Sequence, residues 1–177
     1  MMHHLKRLLL VTILGGVNSS YVLIQNPAPD ATAAPLGLQQ LRLSQAATTA
    51  DLEQSVFDQI NQYRVGRGLS RLTQDARIAT QSRNHSQAMA NGQVPFGHAG
   101  FQERVRVIGQ QIPLRGAAEN VAYNKGAKDP AKQAVEGWLK SSGHRSNIEG
   151  NFNLTGVGVA QNGKGEYYFT QIFIRQR

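Results

Sequence analysis

The chain has 177 residues, 40% apolar and 17% charged, which suits one packed domain with appendages and excludes wholesale disorder. It contains no cysteine, and this excludes disulfides, Cys-ligated zinc, iron–sulfur clusters and thiol catalysis. The formal charge is +8, and from Leu52 onward 16 basic and 9 acidic residues leave +7 on that stretch. The arginines are scattered, so the charge reads as a solvated basic surface and disfavours nucleic acid as a partner.

Residues 1–25 read as a signal peptide or N-terminal anchor. Lys6 and Arg7 precede a nearly unbroken apolar run, Leu8 to Val17, and small residues follow. The run is shorter than the roughly 20 residues of an ordinary membrane span. Tyr21–Ile24 is apolar again, which keeps an uncleaved anchor open; any membrane contact is expected only through this segment. Cleavage fits after Val17-Asn18-Ser19 or after Ala31-Thr32-Ala33. His3 and His4 lie in this leader and are not read as a metal site. Residues 26–50 read as a linker, because Pro27, Pro29 and Pro35 break regular structure. A helical turn fits around Leu36–Leu43.

The domain is expected over residues 51–177. Asp51 with Gln54 resembles a capping box, and Leu52, Val56, Ile60 and Tyr63 recur at helical spacing until Gly66 and Gly68. Thr73 or Asp75 caps a second helix with Ile78, Ser82, Ser86 and Met89 on one face and Gly92 past its end. A third helix fits Phe101–Gln111. Asp129-Pro130 opens another, through Ala134, Val135 and Trp138, which should end at Ser141-Ser142-Gly143. Ala118–Tyr123 is a short strand. Thr155–Gln161 and Glu166–Arg175 flank the turn-forming Asn162-Gly163-Lys164-Gly165 and make a hairpin. Helices first and a hairpin last point to an α+β fold.

Chemistry concentrates at His98, Glu119 and His144. Each histidine follows a glycine, where a sharp turn is expected. Glu119 stands in a stretch without other charge (GAAENVAYN), which predicts a partly buried carboxylate in need of partners. Two imidazoles would serve as those partners.

A resemblance now becomes specific. The order is Asn61-Gln62-Tyr63-Arg64, then Leu69 and Leu72, Met89-Ala90, His98 and Glu119-Asn120-Val121-Ala122. It continues with Trp138 to Ile148 (WLKSSGHRSNI), then Gly156 to Ala160 (GVGVA) and Tyr167 to Phe173 (YYFTQIF). The pattern resembles the CAP superfamily of cysteine-rich secretory, antigen 5 and pathogenesis-related proteins, and most of all its bacterial SCP-like exported branch. The resemblance implies an α-β-α sandwich with a cleft lined by two His and two acidic residues. Carried across, these are His98, His144 and Glu119, with Ser141 at the second acid's position.

The resemblance also links the cleft to lipid, sterol or divalent-cation binding, and the domain to signalling or defence outside the cell. The first reading is therefore a non-catalytic, extracytoplasmic and monomeric binding module for a small or lipid ligand. The second is a metal-assisted hydrolase, with His98 and His144 on a divalent cation such as zinc and Glu119 completing the site. Against it stand the missing His-Glu-x-x-His helix and the lack of a spare carboxylate base. A third is a metal-free nuclease that uses two histidines as acid and base. A serine hydrolase built on Ser141 or Ser142 with His144 lacks the Gly-x-Ser-x-Gly elbow. The catalytic residues, if there are any, stay unassigned.

Overall fold

The computed structural model describes residues 47–177; the expected leader, its two cleavage positions and the linker up to residue 46 lie outside the described residues. The domain is α+β and stacks as an α-β-α sandwich with a C-terminal antiparallel hairpin. Five helices and a four-stranded sheet are present among the described residues. The elements are α1 (Thr49–Gly66), β1 (Thr73–Gln74), α2 (Ala76–Ala90), α3 (Phe101–Gly109), β2 (Leu114–Lys125), α4 (Pro130–Lys140), α5 (Ser142–Glu149), β3 (Leu154–Gln161) and β4 (Glu166–Gln176). The sheet order is β1-β3-β4-β2, with β1 parallel to β3 and the remaining pairs antiparallel.

Alternation along the strands sorts the core into two clusters, because successive strand residues face opposite sides. Phe169 and Phe173 of β4, with Val157 and Val159 of β3, pack against Leu52, Val56 and Ile60 of α1 and Val135 and Trp138 of α4. Ile172 and Ile174 of β4 face the other way and pack with Ile78 of α2 and Ile108 of α3. Helices α1, α4 and α5 therefore cover one face, and α2 and α3 the other.

The approach of α2 to β3 is close enough to demand glycine. A Cβ at Gly156 would overlap the backbone of Ile78 and Ala79, and one at Gly158 would overlap that of Ser82 and Arg83. Ser82 and Ser86 donate their hydroxyls to the carbonyls of Gly156 and Gly158, each at 2.9 Å. The Gly-x-Gly of the family pattern is thus a seat for a helix. The Asn-x-Tyr-Arg pattern is also structural. Asn61 exchanges two hydrogen bonds with the backbone of Leu72, at 3.1 and 2.7 Å. Tyr63 donates to Glu149 at 2.6 Å, and buried Arg64 reaches the carbonyls of Ser70, Ile148 and Gly150.

Three local expectations are corrected. Thr48, not Asp51, is the N-cap of α1: the Thr48 hydroxyl accepts from the Asp51 amide at 3.2 Å, and the Asp51 carboxylate accepts from the Thr48 amide at 2.9 Å. Asp51 is the acid of the capping box, and Gln54 has no part in it. The helix opened by Asp129-Pro130 ends at Ser141 as expected, but no loop follows it. Ser141 breaks it with an extended backbone, and α5 starts at Ser142. Gly143 consequently lies within a helix, so the sharp turn expected before His144 is absent. Thr73 belongs to β1, and Asp75 alone caps α2 by accepting from the Arg77 amide at 2.9 Å.

Candidate functional site

Glu119 lies on β2 opposite Ile172, which turns its side chain toward the α2–α3 layer. His98 comes from the loop between α2 and α3. Two glycines shape that loop, Gly97 at φ 144° and Gly100 at φ 76°, the left-handed region that other residues avoid. The loop is pinned by the Nε2–H of buried His85, which donates to the Gly97 carbonyl at 2.7 Å. His144 stands in the first turn of α5. Its carbonyl accepts from Asn120 at 3.1 Å, and Asn147 donates to Asn120 Oδ1 at 2.9 Å and to the Glu119 carbonyl at 3.3 Å. The cleft therefore straddles the outer edge of β2, with one histidine from each helical layer.

The expected convergence of the three residues is present. His98 Nδ1 lies 3.0 Å from Glu119 Oε1, and the His98 and His144 ring centroids are 6.5 Å apart at 41°. The Glu119 side chain is 1% exposed, whereas that of His98 is 52% exposed. Ser141 is half-buried between α4 and α5, and its side chain makes no capping bond. Together with His144, Tyr123 and Trp138 it lines a hollow of about 370 Å³ beside β2. A larger hollow of about 780 Å³, between α1 and the start of α4, contains no histidine.

One member of the site was not anticipated. Arg104 of α3 donates from Nε to Glu119 Oε2 at 2.9 Å and from Nη2 to Oε1 at 2.8 Å. Its Nη1 donates to the Ala99 carbonyl at 2.8 Å, and its side chain is 10% exposed. The available signal was its spacing: Arg104 and Ile108 are four apart and are the two buried residues of α3, so a charge stands on the apolar stripe. A charge placed there needs a partner. In the neutral ring, the carboxylate holds the proton on His98 Nδ1 and leaves the Nε2 lone pair to the cleft. Burial, followed by the neighbouring His98, pushes the His144 pKa below its ordinary 6.5.

Residues 57–173 match the cysteine-rich secretory protein family, CAP. The chain belongs to the CAP family. Over 127 residues this CAP chain is 35% identical to the uncharacterized membrane protein YlbC of Bacillus subtilis (strain 168), which covers 70% of the chain but 34% of that relative. The chain thus spans about a third of that protein's length. An SCP-domain extracellular protein of Bacillus anthracis superposes with a TM-score of 0.57 at 28% identity, covering 75% of this chain and 45% of the other. An outer surface protein of Borrelia burgdorferi superposes with a TM-score of 0.61 over 74% of this chain and 97% of its own, at 15% identity, a likeness of fold alone. No helix among the described residues is long and apolar enough to cross a membrane.

The CAP cleft raises the question of a divalent cation, and the residues here do not fit one. Among the described residues no group of three or more His, Cys, Asp or Glu is placed to hold a metal ion. Both Glu119 oxygens are engaged by Arg104. Two imidazoles sharing one tetrahedral zinc, with bonds of about 2.0–2.1 Å, bring their ring centres to roughly 5 Å; here the separation is 6.5 Å.

Proposed function

We propose that this CAP protein is an exported, non-catalytic binding module whose cleft takes a small uncharged hydroxyl-bearing ligand or the hydroxyl-bearing headgroup of a lipid. The observation that carries this reading is the saturation of Glu119 by Arg104 and His98. A carboxylate bound on both oxygens is not a free general base. What remains open to a ligand is the lone pair of His98 Nε2, which seeks a donor, and the Ser141 and His144 side of the hollow. Hydroxyl groups meet that demand. Export is supported by the Lys6-Arg7 and Leu8–Val17 leader pattern. The extracellular B. anthracis relative agrees with it.

The test is an NMR titration of the imidazole signals with chitotetraose and with phosphatidylglycerol vesicles. At least one probe should shift both His98 and His144, and His98→Ala should abolish the effect. Fractionation of the native host should place the protein outside the cytoplasm. The two-histidine acid–base reading has one observation in its favour, because Glu119 orients His98 as a carboxylate orients a general base. Turnover of an RNA or ester substrate that is lost in His98→Ala would replace the binding reading with that one.

A further inference from the structure

Arg104 does more than satisfy a buried acid. Its guanidinium sits where a cation bound to Glu119 would have to sit, with Nη2 within 2.8 Å of Oε1 and 2.7 Å of Oε2. We infer that Arg104 is a built-in cation that takes the place of a divalent metal and makes this CAP cleft metal-independent.

Three features support the assignment. The first is charge. The site has one carboxylate and one guanidinium, which balance. A divalent ion added among two neutral imidazoles would leave two uncompensated positive charges beside buried Arg104, and unpaired charge is costly at low dielectric. Ser141 stands where a second acid would have offset this. The second is fixation. Arg104 cannot swing out of the way without abandoning three hydrogen bonds, to both Glu119 oxygens and to Ala99. The loop is built around that position: a Cβ at left-handed Gly100 would press on Arg104 Nη1 at 3.3 Å. The third is the 6.5 Å between the imidazole centroids, wider than one shared tetrahedral ion sets. The inference goes beyond the binding-module reading and stands whether or not the cleft takes a ligand.

Zinc calorimetry on the full chain tests it, with four proteins: wild type, His98→Ala, Arg104→Gln and the double variant. His3 and His4 can bind zinc on their own, so only heat that disappears with His98→Ala counts. Wild type is expected to show none. Arg104→Gln frees the carboxylate and should acquire His98-dependent zinc binding, a heat that wild type and the double variant lack. His98-dependent zinc binding by wild type overturns the inference, and so does a folded Arg104→Gln that binds none. If Arg104→Gln does not fold by circular dichroism, the wild-type arm decides: silence toward zinc sustains the inference, and His98-dependent heat overturns it.

Discussion

The hydroxyl of Ser86 donates to the carbonyl of Gly158 at 2.9 Å, at a point where helix and strand backbones touch. A methyl group at position 158 has no space to enter, because the obstructing atoms are main-chain atoms of Ser82 and Arg83. Overpacking costs about 1–3 kcal/mol and occasionally more. Gly158→Ala should lie at or above the top of that range, since backbone cannot yield as a side chain can. Urea unfolding measures it; a loss below 1 kcal/mol would contradict the contact.

Trp138 is 2% exposed and donates from Nε1 to the Val121 carbonyl at 2.9 Å. Trp138→Ala should cost about 3–5 kcal/mol in a thermal or denaturant melt. An unchanged melting temperature would mean that α4 is not seated on β2 as described.

Asn61 satisfies both backbone groups of Leu72 from a fully buried position. Asn61→Ala leaves the amide and the carbonyl without partners, and each orphaned buried group costs about 1–3 kcal/mol. Asn61→Asp keeps the acceptor for the amide but loses the donor. Because it also sets an unpaired charge against the Leu72 carbonyl, it should be at least as destabilised as Asn61→Ala in the same unfolding series.

Breaking the buried pair should be worse than removing it. Glu119→Ala strands Arg104, at a cost of about 3–5 kcal/mol. Replacing both partners, with Glu119→Leu and Arg104→Met, should recover most of that loss, because no charge is then left unpaired. A double variant as unstable as Glu119→Ala would show that the pair is needed for more than neutralising charge.

Acid should weaken the domain below pH 6.5. Burial lowers the pKa of His85 below its ordinary 6.5, with Arg104 adding to the effect, and burial lowers that of His144 too. The unfolded chain therefore takes up protons first as pH falls through 6.5, and stability declines until the folded-state values are passed. Above pH 6.5 both groups are neutral in either state, and the contribution is complete. Melting temperatures from pH 7.5 to 5 should fall, and less steeply in His85→Gln.

Much of the fold was legible because its signals are local. Asp129-Pro130 marks the start of α4, with the Asp129 carboxylate accepting from the Lys132 amide at 3.0 Å, and Asn162 to Gly165 mark the hairpin turn. Thr48 was missed because an acid at position 51 can serve either as the cap or as its reciprocal partner, and one residue type does not distinguish them. β1 is two residues long, too short for any periodicity, and owes its existence to pairing with Leu154 and Thr155. The convergence of His98, Glu119 and His144 was readable only through the family pattern, since nothing local connects segments 20 or more residues apart. Arg104 escaped because the pattern draws attention to the residues it names, whereas the partner of Glu119 is supplied by a helix between them.

The side chains that hold α4 and α5 against β2 have a second effect. β2 is an outer strand, and at the opposite margin β1 covers only Leu154 and Thr155 of β3. An open margin offers carbonyls and amides on which a foreign strand can template itself. Here the Glu119 and Val121 carbonyls are already taken, by Asn147 and Trp138. A strand arriving from another molecule would find these two central acceptors spoken for and two helices standing beside them. The domain thus guards against edge-to-edge aggregation with the same indole and amide that shape its cleft, and damage at Trp138 would expose a sticky margin as well as a cavity.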